Sequence, residues 1–169
     1  MTYLRFHLVF ILPIIALLWV MTRGKPTGLP RPWLGLALMC GIAAAYTTPW
    51  DHYLIDIGIW THAPGRTIGL TVGLIPIEEF AFFVLQPIMV GLFLLHFAWR
   101  TPAGVEALLS SPWENRRGRA LGGAAGLLVV LAGVILLWGV GGRWTYLGLI
   151  VVWAGPVLLL QWGVGAHAL

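Results

Sequence analysis

Apolar stretches long enough to cross a bilayer recur along nearly the whole of this 169-residue chain. A membrane-spanning helix needs about 20 predominantly apolar residues, and runs of that order lie at about Tyr3–Met21, Pro32–Tyr46, Thr67–Trp99, Ala120–Val140 and Trp144–Gly163. Hydrocarbon offers the backbone no hydrogen-bonding partner, so each run must satisfy its own amides as a helix. The chain therefore reads as an all-α protein, a polytopic transmembrane helix bundle of about five spans. Hydrophobic residues make up 59% of the sequence and charged residues 9%, against roughly 25% charged in an ordinary soluble domain.

The formal charge of +4 does not mark a nucleic-acid partner, because the basic residues fall between spans. Arg23, Lys25 and Arg31 share one gap, and Arg100, Arg116, Arg117 and Arg119 share another. Cytoplasmic loops collect Lys and Arg, which predicts an integral cell-membrane protein with its N-terminus outside and its C-terminus cytoplasmic, Arg5, Arg66 and Arg143 being the exceptions. Trp33, Trp50, Trp60, Trp99, Trp113 and Trp144 fall near span ends, as an interfacial aromatic belt would. The first run reads as a signal-anchor retained as a span. The single cysteine, Cys40, excludes an intramolecular disulfide.

This pattern divides the chain into a three-helix unit at 1–100, a cytoplasmic loop at 101–119 and two further helices at 120–169. Arg31-Pro32-Trp33-Leu34-Gly35, opening the second span, is echoed by Arg143-Trp144-Thr145-Tyr146-Leu147-Gly148, opening the fifth. The echo suggests a partial inverted three-helix repeat. Pro76 and Pro87 lie inside the long third run, where each is expected to kink the helix. Gly122 and Gly126 have the spacing of a close helix contact.

Four of the six acidic residues lie between positions 51 and 79. Asp51 and Asp56 belong, with His52 and His62, to an expected outer loop at Thr47–Arg66, and Glu78 and Glu79 are embedded in Ile75-Pro76-Ile77-Glu78-Glu79-Phe80-Ala81-Phe82-Phe83-Val84-Leu85-Gln86. A charged side chain at hydrocarbon depth costs about 2.5–3.5 kcal/mol on insertion scales, so a pair marks a working site. Glu79, Phe82 or Phe83, and Gln86 recur at helical spacing and form one stripe. A carboxylic acid in a dry pocket donates a proton, and an aromatic face beside it stabilises a cation. That combination suits protonation of an apolar alkene. The plainer readings are a buried hydrogen bond from the glutamates to Arg66 or His52, a helix cap at Asp51, and ordinary interfacial histidines at His7, His52, His62 and His96. No established metal-ligand spacing and no dinucleotide fingerprint is present, so neither a metal nor a cofactor is expected.

The run Thr48-Pro49-Trp50-Asp51-His52-Tyr53, then Gly58-Ile59-Trp60, then the Pro76 to Gln86 segment resembles the flavin-free membrane lycopene cyclases, which occur as two small subunits, as one fused chain or, in fungi, fused to a phytoene synthase. The similarity is strongest over Thr47–Gln86. It implies an isomerase of carotenoid biosynthesis, an intramolecular lyase that closes the acyclic ends of lycopene through γ-carotene to β-rings without net redox change. Carried over by position, it implies catalytic roles for Glu79, Glu78 and Asp51, with Glu79 as donor and Glu78 or Asp51 as base or relay. Trp50, Trp60, Phe82, Phe83 and Gln86 are the substrate-binding candidates. A fused cyclase resembles two copies of the three-helix unit, whereas this sequence holds one acidic loop and one Glu-bearing helix. The implied partners are therefore lycopene, the lipid bilayer, and a second cyclase subunit or a homo-oligomer. Other readings stay open: another cation-driven isoprenoid cyclase or a hydratase, a proton-coupled transporter, and a non-catalytic carotenoid-binding protein.

Overall fold

The computed structural model describes residues 1–101, 116–140 and 142–165. It divides into two compact units, Met1–Glu106 and Ala107–Leu169. The loop expected at 101–119 and its Trp113 lie mostly or wholly outside the described residues.

The first unit holds three long helices, α1 (Tyr3–Thr22), α2 (Pro32–Asp56) and α3 (Ile77–Arg100). Both α1 and α2 pack against α3, which is thereby the central helix of the unit. Helix α1 carries Pro13, which has no N–H to give and whose ring crowds the carbonyl four residues back. A π-helical turn at His7–Ile11 precedes that proline, widening the backbone where the regular hydrogen-bond ladder is interrupted. His7 and Ile11, at the two ends of this turn, are buried.

Helix α2 is longer than the second span expected from sequence. It continues through Pro49 to Asp56 and absorbs the first part of the outer loop expected at Thr47–Arg66. The Thr48 hydroxyl donates back to the Ala44 carbonyl at 2.7 Å, the local bond by which a Thr is accommodated inside a helix. The 25 residues of α2 rise about 37 Å, more than the roughly 30 Å hydrocarbon layer, so one end has room to reach the interface. Its polar C-terminal third also explains why α2 differs from α1 and α3, which are both long and apolar enough to cross a membrane.

The third run is divided too. Thr71–Val72 (β1) and Ile75–Pro76 (β2) form a small antiparallel hairpin, and α3 starts only at Ile77. Pro76 is thus a strand residue that ends the hairpin, and the kink expected of it inside a helix does not arise. Pro87 does lie inside α3. Gly73 opens the two-residue turn at φ +63°, the left-handed region that a tight hairpin needs at this position.

In the second unit, α4 (Arg116–Ile135) continues through a π-helical turn at Leu136–Val140, and a 3-10 turn at Gly142–Trp144 leads into α5 (Thr145–Gly165). The two helices pack as an antiparallel hairpin: Gly122 faces Trp162, Gly126 faces Leu159 and Gly133 faces Val151. The Gly122 to Gly126 spacing is a helix-packing contact, as its sequence suggests. The Trp162 indole donates to the Arg119 carbonyl at 3.2 Å, and the Arg119 guanidinium donates to the Gly163 carbonyl. Segments Arg117–Gly139 and Gly142–Gly163 are each long and apolar enough to span.

Burial confirms the solvent. Trp138 is 81% exposed, Leu121 72% and Leu160 69%, values that water would penalise and acyl chains do not. The protein is an all-α, multi-pass membrane protein.

Candidate active site

The buried ionisable residues His7, Asp51, Glu78 and Glu79 gather at the end where α3 begins. Backbone geometry sets this up: the Ile77 amide donates to the Leu70 carbonyl at 2.9 Å, fixing the start of α3 beside the hairpin. The hairpin in turn rests on α2, because Gly73 lies against the His52 ring so closely that a Cβ would stand 3.1 Å from its Cδ2. Glu78 and Glu79 therefore occupy the first turn of α3, where the helix amides lack intrahelical acceptors and the dipole favours an oxygen ligand.

The two glutamates are held differently. Glu78 Oε1 accepts the Ile68 amide at 2.6 Å, so this carboxyl ties the loop to the helix start. Glu79 Oε1 lies 2.6 Å from His62 Nε2. From α2, Asp51 turns its carboxyl toward Glu79. Two facing carboxyls form a hydrogen bond only when one of them carries a proton. Asp51 and Glu79 are each 7% exposed and Glu78 is 3%. One oxygen of each, Asp51 Oδ2, Glu78 Oε2 and Glu79 Oε2, is buried without a protein hydrogen-bond partner among the described residues.

Aromatic and imidazole groups from α1 complete the cluster. The Tyr3 ring meets His62 edge-on at 5.9 Å, and His7 stacks on Phe82 at 6.0 Å with 28° between the planes. Phe82 is thereby placed one helical turn from Glu79 with its ring orientation set by a buried neighbour. A pair of buried carboxyls and an aromatic ring thus lie at one end of the unit, among α1, α2, the loop and α3.

Of the residues singled out from sequence, Asp51, Glu78 and Glu79 come together, with Phe82 tied in through His7. Trp50 is half-buried on α2 with its ring 6.1 Å from Tyr53, and Trp60 is half-buried on the loop, its backbone amide on the Leu54 carbonyl. Phe83 pairs with Phe80 at 5.8 Å, and Gln86, two turns beyond Glu79, is exposed. Several plainer readings are corrected. The glutamates bond His62 and the Ile68 amide, not Arg66 or His52; Arg66 instead donates to the Met1 carbonyl at 3.0 Å. Asp51 lies inside α2 and caps nothing. His7 and His62 are not ordinary interfacial residues. His7 is 4% exposed, and His62 is the partner of Glu79. No sequence spacing could have found them, since their contacts join residues far apart in the chain.

Known proteins resemble this chain along most of its length. The chain is 37% identical over 164 residues to a lycopene beta-cyclase of Halobacterium salinarum, covering 97% of this chain and 65% of that protein. It is 39% identical over 127 residues to a bifunctional lycopene cyclase/phytoene synthase of Aspergillus niger, covering 75% of this chain and 21% of that protein. A protein of the same description from Podospora anserina is 37% identical over 172 residues, 98% of this chain and 28% of its own length. The chain thus spans a little under two thirds of the archaeal relative's length. No family model and no solved structure matches. Homology across nearly its whole length places the chain in the membrane lycopene cyclase family.

Proposed function

We propose that the protein is a carotenoid cyclase, or one subunit of one, which converts lycopene to γ- and β-carotene by acid-initiated cyclisation. The observation that carries this reading is the buried Asp51 and Glu79 carboxyl pair beside Phe82. The pair can hold one proton between two oxygen acids in a buried site within a membrane protein, the phase into which a lipid-soluble alkene partitions.

The steps balance without an external reductant or oxidant. Glu79, as the acid, gives its proton to the less substituted carbon of the terminal double bond, forming a C–H bond there and leaving a tertiary cation on the other alkene carbon. The π electrons of the internal alkene attack that cation, and the new C–C bond closes a six-membered ring with the positive charge now inside it. Asp51, as the base, removes a ring proton, and the C–H electron pair becomes the ring alkene. The Phe82 face lowers the energy of both cations; such an interaction is worth about 2 kcal/mol when desolvated. Glu78, bound to the Ile68 amide, holds the loop over the site. Trp50, Trp60, Phe83 and Gln86 serve the long polyene beyond the reacting end.

The acid site lies at the outer face in this reading. Lys25 and Arg100 flank the Trp99 ring at 4.9 and 5.1 Å at the opposite end of the unit, as cytoplasmic basic residues would. The N-terminus is then outside and the C-terminus cytoplasmic. Residues 1–100 form the catalytic three-helix unit, 101–119 a cytoplasmic loop and 120–169 a partial inverted copy, with a second subunit or a second copy of the chain completing the substrate channel.

The test is chromatography of pigments from lycopene-producing cells that express the chain or its Glu79→Gln variant in their membranes. Cyclic carotenes formed with the first and lost with the second are expected. Cyclisation that survives Glu79→Gln overturns the assignment of the acid, and unchanged lycopene with the native chain overturns its sufficiency as a cyclase.

A further inference from the structure

The two glutamates differ in the partner each has, and that difference reaches beyond the assignment of acid and base. The Ile68 amide that binds Glu78 only donates, so it favours one charge state of its partner. The imidazole that meets Glu79 can do either: Nε2–H donates to a carboxylate, and a bare Nε2 accepts from a carboxylic O–H. A general acid passes through both states in every turnover. An imidazole at 2.6 Å keeps a hydrogen bond to it in each.

His62 is also fixed in place by contacts unrelated to its own side-chain chemistry. The loop that carries it leaves α2 through the Ile59 and Trp60 amides, which both donate to the Leu54 carbonyl at 3.0 and 3.1 Å. It closes through the Arg66 amide on the Ala63 carbonyl at 3.2 Å. The chain's own N-terminus then clasps it, with the Tyr3 amide on the Arg66 carbonyl and the Arg66 guanidinium on the Met1 carbonyl, both at 3.0 Å. The Tyr3 ring sits edge-on against the imidazole. His62 and Glu79 side chains are only 14% and 10% exposed, so water cannot readily replace either partner.

We propose that His62 is the positioning residue for the acid: held by the N-terminal clasp, it aims the Glu79 carboxyl and gives or takes its hydrogen bond as Glu79 loses and regains a proton. The proposal rests on the reading of Glu79 as proton donor. Asp51 from α2 and Tyr3 from α1 face this pair; around them, Arg66 of the loop acts on Tyr3 and Glu78 of α3 acts on His7.

The experiment is an infrared titration of the carboxylic C=O band of the full chain in lipid vesicles, with Glu79→Gln identifying the Glu79 contribution. His62→Gln keeps a donor and an acceptor but cannot titrate. It is expected to displace the Glu79 carboxyl band and its midpoint, because Gln cannot change its protonation as Glu79 does. The reciprocal readout needs no change at His62. In the isosteric Glu79→Gln chain, the His62 ring titration followed by nitrogen-15 NMR should move as well, because coupled sites titrate together. Unmoved midpoints in a folded His62→Gln chain, or an unmoved His62 titration in Glu79→Gln, overturn the proposal. Neither readout uses substrate. A shifted titration in a chain that forms no cyclic carotene leaves the His62–Glu79 coupling standing and overturns only the chain's sufficiency as a cyclase; active cyclase with unmoved midpoints overturns the His62 assignment and leaves the cyclase reading standing.

Discussion

The hairpin of α4 and α5 and the three-helix unit of α1, α2 and α3 are both built from apolar sequence, yet different contacts hold them. In the hairpin, glycines let the helices approach. A Cβ on Gly148 would stand 2.9 Å from the Gly133 carbonyl oxygen and equally close to Leu137 Cγ. In the first unit, a large share of the buried side chains are polar: His7, Thr22, Thr27, Asp51, Glu78 and Glu79. Lipid gives helices no hydrophobic reason to associate, so packing of small residues and polar contacts are the available means. The hairpin uses the first, which is stable and chemically silent. The unit with α3 at its centre uses the second, and at the end where α3 begins His7, Asp51, Glu78 and Glu79 are groups that can hold and move protons.

The comparison is tested most severely at the carboxyl pair. Asp51→Asn and Glu79→Gln, measured by carotene formation in membranes, are each expected to lower cyclisation by about 10²–10⁴-fold, the usual share of a general acid or base. Leu160→Ala, on the lipid-facing side of the hairpin, is expected to leave it unchanged. An equal loss from Leu160→Ala would break the division between a reacting unit and a silent one.

A smaller effect is expected from close packing. Gly148→Ala should cost about 1–3 kcal/mol in a denaturant titration of the chain in detergent, because the atom it meets is backbone and cannot step aside. Gly123→Ala, which meets nothing within 4 Å, should be neutral or gain up to about 1 kcal/mol from helix propensity. If the two behave alike, close approach is not what holds the hairpin.

The smallest effect is expected at the basic end of the first unit. Lys25→Ala removes a cation from the Trp99 ring and should cost about 0.5–1 kcal/mol, as exposed pairs of this kind do. A larger cost in the same titration would mean that this end is built as firmly as the acid end.

Much of this architecture was legible in the sequence. Runs of membrane length announced the helices, because hydrocarbon gives the backbone no partner but itself, and the cost of burying carboxyls singled out Glu78 and Glu79, while Asp51 was marked by the family resemblance. Boundaries were less legible. Pro76 fits a helix kink and a strand end equally well until Ile77 is seen donating to Leu70. The polar run after Tyr46 looked like a loop, yet it continues α2, since Thr48 and Pro49 are tolerated in a helix at its interfacial end.

Composition and spacing determined the solvent, the helical class and the glutamate pair, because each follows from the transfer cost of a residue or from a local period. Tertiary structure alone decided what each acid meets. Glu78 and Glu79 are neighbours in sequence and chemically identical, yet one meets an amide and the other an imidazole facing a second carboxyl. Adjacent helical residues point about 100° apart, so the fold around α3 gives each its own surroundings, and no local pattern records which.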